Sequence, residues 1–147
     1  MKTKTISVFV TLMLCSLAYS QQTVDELGDK IESAAKAKSA KQLKALCFNT
    51  GEPKELTDAM SSLFSVFEDQ NLQASEAKIH STKDHTPEVK LPGSFQGKEL
   101  EYLIPPTHWI VISLSSKEGE NPKMNFKLSF PAVMVGDVWR IPGIKYK

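Results

Sequence analysis

The side chains of this sequence that could handle protons or metals are few. Three histidines are present, His80, His85 and His108, and Asp84 stands directly before His85. Imidazole and carboxylate together supply the nitrogen and oxygen donors of a metal site or an acid/base group. The spacing does not favour either use. His80 and His85 lie in a segment that reads as a strand end running into a loop, with no helical His-Glu-x-x-His pattern and no Cys pair beside them. No metal site is expected, and His108, which alternates with Ile110 and Ile112, reads as a histidine at the rim of a core. Cys47 follows Leu43 and Leu46 on an apolar face and reads as a small packed hydrophobe. Asp137 occupies a turn position that favours Asp for its geometry. The segments 108–115, 124–135 and 138–141 contain no Asp or Glu, so a sheet built from them carries no buried general base. Phosphate-cradling loops, dinucleotide glycine turns and nucleophile elbows are missing from the sequence, and no cofactor is expected.

The elements that position these groups begin after a leader. Lys2 and Lys4 precede an apolar stretch from Ile6 to Leu17, and Ala18-Tyr19-Ser20 follows with small residues at its first and third places. These are the three parts of a secretory signal peptide over residues 1–20, cut before Gln21. The apolar run is shorter than the ~20 residues a membrane-spanning helix needs. Cys15 would be the acylated residue of a lipoprotein, but Leu14 stands where such processing wants a small side chain. The chain is expected to be periplasmic or secreted. Without the two leader lysines the formal charge moves from +1 to −1, so no basic footprint for nucleic acid exists. Hydrophobic residues at 41% and charged residues at 24% exclude a polytopic membrane protein and a wholly disordered chain. Residues 21–147 fit one domain.

Helices come first. Thr23 with Glu26, and Ser39 with Gln42, are capping boxes. The first opens the periodic series Val24, Leu27, Ile31, Ala34 and Ala35, and the second opens a short segment carrying Leu43, Leu46 and Cys47, halted by Asn49-Thr50-Gly51. Lys36, Lys38, Lys41 and Lys44 read as a solvated helix surface. Pro53 starts a third helix whose residues Leu56, Ala59, Met60, Leu63, Phe64 and Phe67 fill a helical apolar stripe. From residue 72 the period changes to that of strands. Residues 72–80 read as a strand and 81–98, with Pro87, Pro92, Gly93 and Gly97, as a long irregular loop suited to partner binding. Strands follow at 108–115 and 124–130, and Gly136-Asp137 joins 133–135 to 138–141 as a hairpin. The fold class is α+β, with two or three N-terminal helices packed on a curved antiparallel sheet.

Helices followed by a long meander that ends in a Gly-Asp turn and Val138-Trp139-Arg140-Ile141 resemble the nuclear-transport-factor-2-like superfamily, in particular its exported bacterial members of unassigned function. The resemblance covers about residues 23–145 and implies a cone whose mouth opens as a pocket. Tyr102, His108, Phe64, Phe126 and Trp139 would line that pocket around a small apolar ligand. The superfamily's isomerase-like members use a carboxylate that the strands here lack. The leading expectation is therefore a non-catalytic ligand-binding or self-associating module, with Trp109 and Val111, on the second apolar face of their strand, as a homodimer surface. The alternatives are a lyase or isomerase in which Tyr102 and His108 polarise a substrate, and a partner-binding protein using the 81–98 loop.

Overall fold

The computed structural model describes residues 23–48, 53–87 and 93–147, so the expected leader and the Asn49-Thr50-Gly51 stop lie outside the described residues. Helix α1 (Val24–Lys36) starts where Thr23 Oγ1 accepts the Glu26 N–H at 3.3 Å, with Asp25 and Glu26 at the positive end of its dipole. It buries Leu27, Ile31, Ala34 and Ala35. Its end is a Schellman turn: the Ser39 N–H reaches the Ala34 carbonyl at 3.0 Å and the Lys38 N–H the Ala35 carbonyl at 3.1 Å. The left-handed position belongs to Lys38 (φ 56°) where glycine is usual. Lys38 Nζ donates to the Asp69 carbonyl at 2.8 Å and to that of Leu72, so this lysine ties the turn to a distant part of the chain. It is not the solvated helix lysine that the basic run suggested. Ser39 then caps α2 (Ala40–Ala45) at once, its Oγ accepting the Gln42 N–H at 3.2 Å. Helix α2 ends before Cys47, which lies in the short strand β1 (Cys47–Phe48).

Helix α3 (Lys54–Phe64) tightens into a 3₁₀ turn over Ser65–Glu68. Leu56, Phe64 and Phe67 are buried, but Leu63 is 59% exposed, against the expected stripe. The placing of Phe67 is angular. In an unbroken α-helix Phe67 would come round on the side of Leu63, whereas three residues at about 120° each bring it into line with Phe64. Both rings then reach Phe130, with centroids 6.0 and 5.6 Å away, and Leu63 is left outside.

The sheet that receives these helices is mixed and curled into a half-barrel. Its strands are β1, β2 (Leu72–Ala74), β3 (Lys78–Ser81), β6 (His108–Ser116), β7 (Asn125–Val135) and β8 (Val138–Pro142), in the order β1-β8-β7-β6-β2 with β3 also on β6. All pairs are antiparallel except β1 with β8. Successive residues of a strand face opposite ways. Ile110, Ile112 and Leu114 therefore share the inner face with their partners Phe130, Leu128 and Phe126. The hairpin between β7 and β8 turns at Gly136 (φ 62°), the positive φ that such a turn asks of its first residue.

The single strand expected over 72–80 is divided. Ala74 pairs with Leu114 but Lys78 with Val111, so one strand spends four steps where the other spends three. The extra residue is a bulge, and it inverts which side chains face inward. Ile79 consequently joins the core and His80 faces out. Ile79 packs so closely on α1 that a Cβ at Gly28 would stand 3.2 Å from its Cδ1. Beside the bulge, Glu32 accepts the Ala77 N–H at 2.9 Å and pairs with Lys36. The Lys36 hydrogen bond first, and the Ala77 N–H second, hold the Glu32 carboxyl below its ordinary pKa. A depressed carboxyl contributes stability above the unfolded value of 4.5 and loses it as the pH falls through the folded one. Urea midpoints measured from about pH 6 down to about pH 3 should show Glu32→Gln lowering stability near neutrality and converging on the wild type in acid. Parallel curves would exclude this role.

A second, three-stranded sheet consists of β4 (Ser94–Phe95), β5 (Lys98–Tyr102) and β9 (Ile144–Tyr146), the last continuing β8 beyond Gly143. It claims the last part of the expected 81–98 loop. Gln96 (φ 52°) and Gly97 (φ 77°) make the β4–β5 turn. Leu100 and Ile144 meet Leu56 of α3, so that helix spans both sheets. Glu99 and Glu101 pair with Lys147 at 3.0 Å and Lys145 at 3.2 Å on the exposed side.

Candidate binding surfaces

The concave face is occupied by side chains. Leu27, Ile31, Leu43, Ile110, Ile112 and Ala132 all have no solvent-accessible surface. Of the residues expected to line a pocket, Phe64 is buried against Phe130 and borders a void of only about 50 Å³ shared with Lys44, Cys47, Thr57, Met60 and Ser61. That volume is far below the ~300 Å³ of small-molecule sites. His108 and Trp139 do meet, edge to face with centroids 5.2 Å apart. Phe126 is at the other end of the same face, six residues along β7 from Ala132, the partner of His108, or roughly 20 Å away. These rings do not converge on one chamber.

Tyr102 stands elsewhere again. Its ring meets Trp109 edge-on at 6.3 Å. Because His108 and Trp109 are neighbours in an extended strand, they leave β6 on opposite faces, and Tyr102 lies with Trp109. The expected Tyr102 and His108 polarising pair is therefore not assembled. Burial pushes the Tyr102 hydroxyl up to about 12, so it stays protonated at neutral pH.

The outer face of β6 carries a construction that the sequence did not reveal. His80 of β3 pairs with Trp109, and Val111 pairs with Ser129 of β7. His85 stacks on His80 with centroids 4.9 Å apart and reaches Ser129 Oγ with Nε2 at 3.4 Å. A side chain that touches both β3 and β7 has to pass over the strand between them. Val111 beneath it is only 7% exposed. The face expected to pair Trp109 and Val111 with a second copy is thus covered at Val111 by the chain itself, and only Trp109 is left half-buried. The signal was present in the spacing of His80 and His85, but the bulge that turns His80 outward is invisible in sequence. His108, on the inner face, does not join this pair, and no cluster of three metal-binding side chains forms among the described residues.

Two further features complete the surface. Cys47 donates weakly to the Leu43 carbonyl at 3.7 Å, and burial raises its thiol to about 12. An open hollow of about 380 Å³ lies between α1 and α2, lined by Asp29, Lys30, Ser33, Gln42, Ala45 and Leu46. Of its lining, the sequence patterns singled out only Gln42, as a capping residue, and Leu46, as part of an apolar segment. No helix among the described residues is long and apolar enough to cross a membrane. Compared with family models, curated proteins and solved structures, the chain finds no match.

Proposed function

We propose that this chain is an exported, non-catalytic module of the nuclear-transport-factor-2-like type that acts by self-association through its exterior. One observation carries the reading. The hollow of the sheet, where that architecture would hold a ligand, is filled by Leu27, Ile31, Leu43, Ile110 and Ile112 at zero exposure. A packed interior leaves no room for a substrate beside a proton-transfer group. The helices and sheet then serve as a rigid scaffold, and recognition falls to surfaces. Export follows from the leader read in residues 1–20 and is tested by the mass of the secreted product, which should begin at Gln21.

The test of the main reading is light scattering coupled to size exclusion on the exported protein across a hundredfold concentration range. A concentration-dependent dimer is the expected result. A strict monomer throughout, or saturable binding of an apolar ligand that is abolished by Phe64→Trp filling the small void, would overturn it.

A further inference from the structure

We propose that the lower half of β7, residues 125–129, pairs edge to edge with the same strand of a second copy, antiparallel about a twofold axis at Leu128. The proposal rests on the self-association reading and names its surface.

Hydrogen-bond phase decides which way the backbone groups of β7 point. At the far end of the β6–β7 ladder the Ser116 N–H reaches the Met124 carbonyl at 2.9 Å. Bonded and non-bonded pairs alternate along an antiparallel ladder. The partners Leu114 and Phe126, Ile112 and Leu128, and Ile110 and Phe130 therefore exchange the bonds. Ser113 confirms the phase from the other side, since its N–H and carbonyl are engaged with Ser75 Oγ and the Ser75 N–H at 3.0 and 2.9 Å. It follows that the backbone groups of Asn125, Lys127 and Ser129 point away from β6.

On that side β8 pairs with β7 only over 133–135. Continuing the register brings Pro142 opposite Pro131, and neither has an N–H to give. There β8 parts from β7 and turns its remaining bonds to β1, with the Ile141 N–H on the Leu46 carbonyl at 3.0 Å and the Gly143 N–H on that of Phe48 at 2.9 Å. Asn125, Lys127 and Ser129 are left with no strand on that edge among the described residues. Asn125 and Lys127 are exposed, and Phe126 and Leu128 are half-buried.

The edge is complementary to itself. Phe126-Lys127-Leu128-Ser129-Phe130 reads apolar-polar-apolar-polar-apolar in either direction. A twofold at Leu128 sets Lys127 against Ser129 of the second copy, where the two exchange both backbone bonds, and Phe126 against Phe130. Lys127 is the one charged residue in the segment, and this register keeps it from its own copy. A twofold at Lys127 would oppose two like charges, which is destabilising. Pro131 falls opposite Asn125, where its carbonyl accepts the Asn125 N–H and the ladder ends, since Pro131 has no N–H to return. A strand from a different protein would have to match the same phase and charge, and that is an outcome of the test.

The experiment uses the exported protein and light scattering. Ser129→Pro removes an outward N–H and leaves the β6 ladder intact. It should shift the dimer to monomer, raising the dissociation constant at least tenfold with an unchanged circular dichroism spectrum. Should that variant fold poorly, Leu128→Cys in a Cys47→Ala background gives a second reading. Residues facing each other across such an axis have Cβ atoms about 4.5–5.5 Å apart, near disulfide range, so mild oxidation should yield a covalent dimer. Lys145→Cys in the same background should not. A dimer that survives Ser129→Pro and fails to cross-link at position 128 overturns this proposal alone, and loss of that dimer by Trp109→Asp would place the contact on the outer face. A strict monomer with no cross-link overturns the self-association reading as well. Leu128→Cys linking only to another exported protein would overturn the choice of a second copy.

Discussion

Phe67→Ala should lower the unfolding free energy by about 3–5 kcal/mol, the range for emptying a buried aromatic site. Phe67 is 1% exposed and its ring lies 5.6 Å from that of Phe130, so the cavity would open between the 3₁₀ turn and the centre of β7. Collapse there is limited, because Phe64 already occupies the adjacent face of Phe130. For a domain whose whole stability is of order 5–15 kcal/mol, the loss should be visible as a large fall in the urea midpoint at unchanged slope. The informative control is Leu63→Ala. Leu63 belongs to the same sequence stripe but is 59% exposed, and its removal should change stability by no more than about 0.5 kcal/mol. Equal costs for the two variants would mean that the helix continues unbroken past Ser65 and that Leu63 and Phe67 share one buried face.

Cys47 should be alkylated about a thousand times more slowly than a free thiol at pH 8, because only the thiolate reacts and burial raises its pKa to about 12. The sign is fixed by desolvation: a thiol carries no charge, its anion does, and the apolar surroundings of Leu43, Leu46 and Met60 penalise the anion. Lys44 acts in the opposite direction and is outweighed. Labelling followed by mass spectrometry, native and in urea, checks this, with urea expected to restore the free-thiol rate. A native rate within tenfold of the unfolded one would show that the thiol is open to solvent. Disulfide exchange also proceeds through the thiolate, so the same protection keeps Cys47 out of it.

Both predictions concern residues whose type was readable from the sequence but whose setting was not. Local rules accounted for much of the fold. The two capping boxes stand at the starts of α1 and α2, the helical stripe after Pro53 became α3, and alternation marked β6 and the two arms of the hairpin around Gly136. Each of these is a signal carried by residues three or four apart, or by a turn of two residues, and needs no distant partner to be seen.

Tertiary structure decided the rest, because the remaining features depend on which strands meet and in what register. One surplus residue between Ala74 and Lys78 turned His80 outward and Ile79 inward. The tightened turn after Phe64 aligned Phe67 with Phe64 against Phe130, while Leu63 stayed exposed. Short strands at 94–95 and 144–146, too brief for any periodicity, built a second sheet on β5, the first of them inside the segment that read as loop. Chemistry at a site requires side chains distant in sequence to face one volume, and here the sheet's alternation sends Tyr102 and His108 to opposite faces. From its own residues this chain specifies its helices, its turns and the alternation of its long strands. Which face each ring looks upon, and which strand edge lacks a neighbour among the described residues, came only from the pairing of β7 with β6 and the end of its pairing with β8 at Val133.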